Sequence, residues 1–246
     1  MNGGIFIQIL ILGQDPRFDI VETELKKKYQ VNRSNNLNID ISKYDLIILP
    51  MKGISNDNIE FLKKSKKSAI IYTGLKNNLE NINREIISFL DDEEIKEANN
   101  NITVDGIIDY IKNINHDKIC LLGYGNIGKK LYQALKDNII SIGIIEKIDK
   151  QLLGDNAFYT TDIEIMKERL NNCNLIINTV PQNIIDNKIA YNLKTPILDI
   201  ASTPYGVSKD VIKENNLNYY LYSGIPGKYN PDRAGKILLK KILRGE

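Results

Sequence analysis

The segment Ile119-Cys120-Leu121-Leu122-Gly123-Tyr124-Gly125-Asn126-Ile127-Gly128 runs from an apolar strand pattern into a tight glycine turn. Residues 129–135 then carry the spacing of an amphipathic helix, and residues 139–145 that of a second strand. Strand, GxGxxG turn and helix in this order form the fingerprint of a dinucleotide-binding unit. The first glycine permits the sharp turn, the second admits a pyrophosphate to the backbone, and the third lets helix pack closely on strand. The helix N-terminus adds free N–H groups and the positive end of its dipole. Gly123, Gly125, Asn126, Ile127 and Gly128 are therefore candidate contacts to a pyrophosphate. In this fold an acidic residue ending the second strand binds the ribose hydroxyls of NAD, whereas a basic one accommodates the extra phosphate of NADP. Glu146 and Lys147 stand side by side at that point, so the pattern leaves NAD or NADP open.

Outward from this unit, strand and helix signals alternate on both sides. Upstream, residues 5–12, 45–49, 69–72 and 86–90 read as strands, and 18–29 and 58–64 as helices. The acidic run Asp91-Asp92-Glu93-Glu94 reads as a solvated helix start. Asn99-Asn100-Asn101 breaks the pattern, and residues 103–114 read as one helix capped by Thr103. Downstream, strands are expected at 157–159, 175–178, 196–200 and 218–222, and helices at 162–170, 208–215 and 231–243. Asn230 before Pro231 is a clean start signal for the last helix. Continuous β-branched runs between helices indicate buried parallel sheets. The expected fold class is α/β, with two doubly wound parallel-sheet domains. A flavodoxin-like N-terminal domain would occupy 1–100, a bridging helix 101–116, a Rossmann cofactor domain 117–228 and a C-terminal helix 229–246.

Composition narrows the function classes. The chain has 246 residues, 42% of them hydrophobic and 26% charged, as in ordinary globular proteins. A formal charge of +2 from near-balanced acids and bases gives no nucleic-acid footprint. The apolar stretch at 5–12 is too short to span a bilayer and lacks a basic flank, so neither a membrane segment nor a signal peptide is expected. A cytoplasmic location follows. Cys120 and Cys173 open predicted strands and read as small buried thiols. With the single histidine His116, no metal centre is expected.

Further blocks accompany the glycine turn, and their order and the last of them are specific. They are Leu12-Gly13-Gln14-Asp15-Pro16-Arg17, Tyr72-Thr73-Gly74, Thr103-Val104-Asp105-Gly106, Ile177-Asn178-Thr179-Val180-Pro181 and Leu198-Asp199-Ile200-Ala201-Ser202. The last is Ser223-Gly224-Ile225-Pro226-Gly227, continuing to Pro231 and Ala234-Gly235. In this order they resemble the A-subunit family of dipicolinate synthase, the enzyme with which bacterial spore formers make pyridine-2,6-dicarboxylate. The resemblance runs over nearly the whole chain. It implies oxidation of a dihydrodipicolinate-type ring, with NADP the usual acceptor. It also implies a partner, the synthase's flavoprotein B-subunit, and a place in the mother cell of a sporulating bacterium. Two departures stand out: the loop after Pro50 is trimmed, and Tyr205-Gly206 replaces a glycine pair usual in relatives.

A small dicarboxylate needs two anion sites, which arginine forks, hydroxyls and helix N-termini supply. Arg17 follows the first strand and Arg233 opens the final helix; with Thr73 and Thr203 at strand ends, these are the candidate substrate contacts, on a cleft expected between the domains. Thr179 and Pro181, after a cofactor-domain strand, are expected beside the nicotinamide ribose. Asp15 and Ser202 are the candidates for proton transfer. His116 precedes the glycine-turn strand, away from the strand C-termini, and reads as structural. Homo-oligomerisation stays open. Two other functions compete. A 2-hydroxyacid-dehydrogenase-like oxidoreductase typically uses a late histidine, and none follows His116. A non-catalytic NAD(H)-sensing module has no evident use for the C-terminal glycine–proline block.

Overall fold

The computed structural model describes residues 7–76, 79–145 and 153–245. The chain divides into two compact units, Met1–Asn99 with Pro226–Glu246, and Asn100–Ile225. The first unit contains β1 (Gln8–Leu12), α1 (Arg17–Leu25), β2 (Gln30–Ser34), β3 (Leu46–Ile48), α2 (Ile59–Lys63), β4 (Ile70–Thr73) and β5 (Glu85–Ser88). Helix α3 (Glu93–Ile111) carries the chain into the second unit. There follow β6 (Ile119–Leu122), α4 (Asn126–Leu135), β7 (Ile139–Ile144), β8 (Ala157–Tyr159), α5 (Ile163–Asn171) and β9 (Leu175–Asn178). Next come α6 (Asn187–Ala190), β10 (Ile197–Asp199), α7 (Lys209–Glu214) and β11 (Tyr219–Leu221). Helices α8 (Ile225–Tyr229) and α9 (Pro231–Arg244) close the chain.

The first sheet is parallel throughout, in the order β2-β1-β3-β4-β5. This is the flavodoxin-like order. The second sheet is also parallel, in the order β11-β10-β9-β6-β7-β8. Read from its own first strand, it has the Rossmann order. Both expected fold types are present.

Alternation of side chains along each strand explains why both faces are covered. In β1, Ile9 and Ile11 enter a core with Phe18 and Val21 of α1 and Leu238 and Ile242 of α9. Leu10 and Leu12 enter the opposite core with Leu62 of α2. In β6, Ile119 and Leu121 pack with Leu131 of α4 and Ile107 of α3, while Cys120 and Leu122 pack with Met166 and Leu170 of α5. Both cysteines are buried and free, and the Cys173 thiol donates to the Leu170 carbonyl at 3.1 Å.

Two local expectations are corrected. Helix α3 runs unbroken through Asn99-Asn100-Asn101, and Thr103 lies buried inside it instead of capping it. An asparagine costs a helix only about 0.5 kcal/mol, less than the burial of one isoleucine; Ile95, Ile102, Ile107 and Ile111 are all buried. The second correction is β2, which the sequence reading leaves out. It lies at a sheet edge and buries only Val31 among Gln30-Val31-Asn32-Arg33-Ser34, so its apolar alternation is faint.

Candidate functional site

The second unit holds a cavity of about 630 Å3 at the C-terminal ends of β6, β7 and β9, within the range of small-molecule sites. Gly123, Gly125, Asn126 and Ile127 form one wall, Thr179, Val180 and Pro181 another, with Asn100, Lys129 and Ile145 completing it. The expected pyrophosphate contacts and the expected Thr179 and Pro181 thus line one cavity, apart from Gly128. Gly123 has φ +99°, and a side chain on it would overlap Thr179 Oγ1. A side chain on Gly128 would overlap the Gly123 carbonyl, so helix and turn touch here. At Gly125 no described residue beyond its chain neighbours comes within 4 Å of where a Cβ would be. The turn therefore offers bare backbone to the cavity at its second glycine, beside the N-terminus of α4. That geometry fits a pyrophosphate.

The opposite wall is held in place by its own hydrogen bonds. Thr179 donates to the Leu122 carbonyl through its N–H at 2.8 Å and its hydroxyl at 3.0 Å. Asn178, fully buried at the end of β9, accepts the Val180 N–H at 3.1 Å and donates to the Val180 carbonyl at 3.0 Å. The same amide donates at 2.9 Å to Asp199 Oδ1 at the end of β10. Asp199 is fully buried, and also accepts the Ala201 N–H at 3.0 Å, the Gly206 N–H at 2.7 Å and the Tyr219 hydroxyl at 2.8 Å. Burial, then the bond to Asp199 and its charge, push the Tyr219 phenol far above its usual range, so it stays a donor.

On the cavity's rim Lys129 is the one charged side chain among the described residues, its ammonium 5.4 Å from the centroid of the Tyr124 ring. Tyr124 in turn meets Tyr132 edge-on at 5.9 Å. Both features suit an anionic ligand: a cation at the mouth, and an aromatic ring holding it there. Glu146 and Lys147, read from the sequence as the ribose-facing pair, lie outside the described residues.

The remaining candidates fall elsewhere. In the first unit Asp15 and Arg17 form a bidentate pair, Nε–Oδ1 2.8 Å and Nη2–Oδ2 2.6 Å, with the Arg17 N–H also donating to Oδ1 at 3.1 Å. Burial works to raise the Asp15 pKa, but the bonds and charge of Arg17 prevail and hold it below the ordinary carboxylate range. Gly227, of the glycine–proline block, sits against this pair: a Cβ there would be 3.2 Å from Arg17 Nε. Arg33 braces the same loop by donating to the carbonyls of Gly13 at 2.9 Å and Asp15 at 3.1 Å. Arg233 is exposed in the first turn of α9, its N–H bound to Asn230 Oδ1 at 3.1 Å. Thr73 corrects an expectation: it has no exposed surface, and its hydroxyl donates to the Leu75 carbonyl at 2.9 Å, shaping its own loop. Ser202 and Thr203 are exposed on the loop after β10, where the Thr203–Pro204 peptide is cis. His116 Nδ1 lies 2.6 Å from the Ile114 carbonyl, in keeping with a structural role.

Sequence reasoning passed over Asp199, Asn178, Lys129, Asn100 and Arg33. A carboxylate closing the apolar run Ile197-Leu198 was a usable signal for Asp199, because a strand buried on both faces keeps a charge only where donors meet it. Asn100 and Arg33 had none, since each depends on a chain segment distant in sequence.

No family model matches the chain. It is similar to the dipicolinate synthase A-subunit of Bacillus subtilis (strain 168), 25% identical over 239 residues, covering 83% of this chain and 80% of the relative. The crystal structure of the dipicolinate synthase A-subunit from Bacillus halodurans superposes with a TM-score of 0.77 at 20% identity, covering 97% of each chain. An NAD-dependent formate dehydrogenase from Staphylococcus aureus, solved in complex with NAD, shares the fold at a TM-score of 0.61 and 11% identity, over 97% of this chain and 95% of that one. Among the described residues, no helix is long and apolar enough to cross a membrane.

Proposed function

We propose, from its likeness to the dipicolinate synthase A-subunit, that this chain is the nicotinamide-nucleotide-binding component of such a synthase. In this reading it is an oxidoreductase that turns a dihydrodipicolinate-type ring into dipicolinate, alongside a flavoprotein partner. The observation that carries the reading is the glycine-turn cavity, whose second glycine leaves backbone bare beside a helix N-terminus. Gly123, Gly125, Asn126, Ile127 and Lys129 would hold the pyrophosphate of NAD or NADP, with Thr179, Val180 and Pro181 toward the nicotinamide. The nicotinamide supplies a hydride acceptor. The substrate gives up one hydride and one proton from adjacent ring atoms and gains aromaticity, so the protein has to align the ring and take a proton.

Arg17 is the leading candidate for a substrate carboxylate, because Asp15 presents its guanidinium as a fixed fork. Asp15 then positions Arg17; a carboxylate kept ionised by its partner is poorly placed to cycle a proton near neutral pH. Arg233 and Thr203 are the further candidates for carboxylate contact, and Ser202 for proton transfer.

The test is direct. Chemically generated dihydrodipicolinate is mixed with the chain and NAD+ or NADP+, with and without the flavoprotein, and the pyridine absorbance of dipicolinate is followed. Formation dependent on this chain and nucleotide is expected; none under any combination overturns the reading. Glu146→Ser addresses nucleotide choice: if Glu146 binds the ribose hydroxyls, the NAD-to-NADP affinity ratio falls about tenfold. An unchanged ratio removes that role.

A further inference from the structure

In the second unit a buried carboxylate grips a loop outside the cavity. Asp199 joins three neighbouring strands. Its Oδ1 takes Asn178 of β9 and the Ala201 N–H, and its Oδ2 takes the Gly206 N–H and Tyr219 of β11. Residues 201–206 therefore close on themselves, both ends bonded to one carboxylate, with Ser202, Thr203 and Pro204 exposed at the tip. Within the loop Tyr205 has φ +69°, a left-handed conformation that costs a non-glycine residue about 1 kcal/mol. The Gly206 carbonyl accepts the N–H groups of Ile184 and Ile185 at 3.0 and 3.1 Å, which ties the loop to the segment after the cavity wall.

Packing makes the link to the cavity short. Asn178 bonds Asp199 with the same amide that clamps Val180, a cavity residue. A side chain on Gly206 would overlap that amide. One asparagine thus separates the cavity wall from the loop. The chemistry of position 199 is also restrictive. Four donors converge on it, and a carboxylate accepts all four, whereas an amide would turn an NH2 toward a backbone N–H that cannot rotate away.

We propose that Asp199 is a positioning residue that couples nucleotide binding to the ordering of loop 201–206, the loop that carries Ser202 and Thr203. Nucleotide filling the cavity holds Thr179, Val180 and Pro181; Asn178 passes that restraint to Asp199, which stills the amides of Ala201 and Gly206. The proposal rests on the nucleotide reading but needs no particular substrate.

Amide hydrogen exchange on the full chain tests it, with saturating NADPH and, separately, NADH. In the wild type, exchange at 123–128 and 178–181 slows on binding, and the Ala201 and Gly206 amides slow by about fivefold. In Asp199→Asn the free-to-bound ratio at 201–206 falls toward one, while protection at 123–128 persists. A residue that merely stabilised the fold would raise exchange in both states and leave that ratio unchanged. Gly206→Ala, which pushes the loop off Asn178 without altering charge, is expected to uncouple it likewise and serves if Asp199→Asn does not fold. Protection at 123–128 with no response at 201–206 in the wild type, or an unchanged ratio in either variant, overturns the coupling alone. No protection at 123–128 with either nucleotide overturns the nucleotide reading, and the coupling with it.

Discussion

Asp15 shows at single-residue scale how a neighbour decides what a carboxyl group can do. Its position after an N-terminal strand admits a proton carrier or an anchor equally well. The structure surrounds it with three donors from Arg17, the side chain of Asp15 being 17% exposed and that of Arg17 13%. Its pKa lies below the unfolded value, so the stability it confers is complete above that value, about 4, and is lost as pH falls through the folded pKa. Asp15→Asn is expected to cost ~2 kcal/mol at pH 7 and to flatten the acid limb of the stability curve below about pH 4. Denaturant titrations from pH 7 to 2.5 read this, and coincident curves for the two proteins would show that the pair contributes nothing. The same variant should raise the substrate KM more than it lowers kcat if Asp15 acts by holding Arg17.

At the scale of elements, the strands announce themselves and the helices are judged by what they bury. Runs such as Ile9-Leu10-Ile11-Leu12 and Ile119-Cys120-Leu121-Leu122 are apolar on both faces, which only a covered parallel strand requires. Helix α9 starts where Asn230-Pro231 predicts, the Asn230 side chain accepting the Arg233 N–H. It buries Ala234, Gly235, Leu238, Leu239 and Ile242, and returns the C-terminus to the first unit. Leu238→Ala is expected to destabilise that unit by about 3 kcal/mol through the lost contacts and the cavity left behind. Nucleotide affinity, assigned by the proposed function to the second unit, should stay within about twofold at temperatures where both proteins are folded. Thermal denaturation and NADPH fluorescence titration measure the two quantities; a parallel loss of affinity would mean that the C-terminal helix also supports the cavity. Helix α3 and strand β2 mark where element reading falls short, because long-range packing outweighs asparagine propensity in one and an edge position blurs the pattern in the other.

For the molecule as a whole, ligand binding and stability are linked. A nucleotide that binds the folded chain alone stabilises it by about 2.7 kcal/mol at a hundred times its dissociation constant. Saturating NADPH or NADH should therefore raise the unfolding temperature by several degrees, whereas AMP, lacking the pyrophosphate that the proposed function assigns to the glycine turn, should do much less. Equal shifts with AMP would place the binding energy away from residues 123–128. The sequence by itself determined two parallel α/β units, the glycine turn and the helix behind it, since apolar runs, glycine spacing and cap residues act through neighbours a few positions away. It also marked Thr179 and Pro181, which follow a strand whose end is predictable. Only the tertiary structure decided that Asp15 belongs to Arg17, that Thr73 is sealed inside its loop, and that Asp199 ties Asn178 to Gly206. The last of these depends on which strands lie side by side in a sheet ordered 11-10-9-6-7-8, whereas the first two are bonds between residues two apart that form only once their loops are folded and buried. Hydrogen-bond partners set by sheet order leave no local trace in the chain, because each donor alone is compatible with many acceptors until burial removes the water that would otherwise serve.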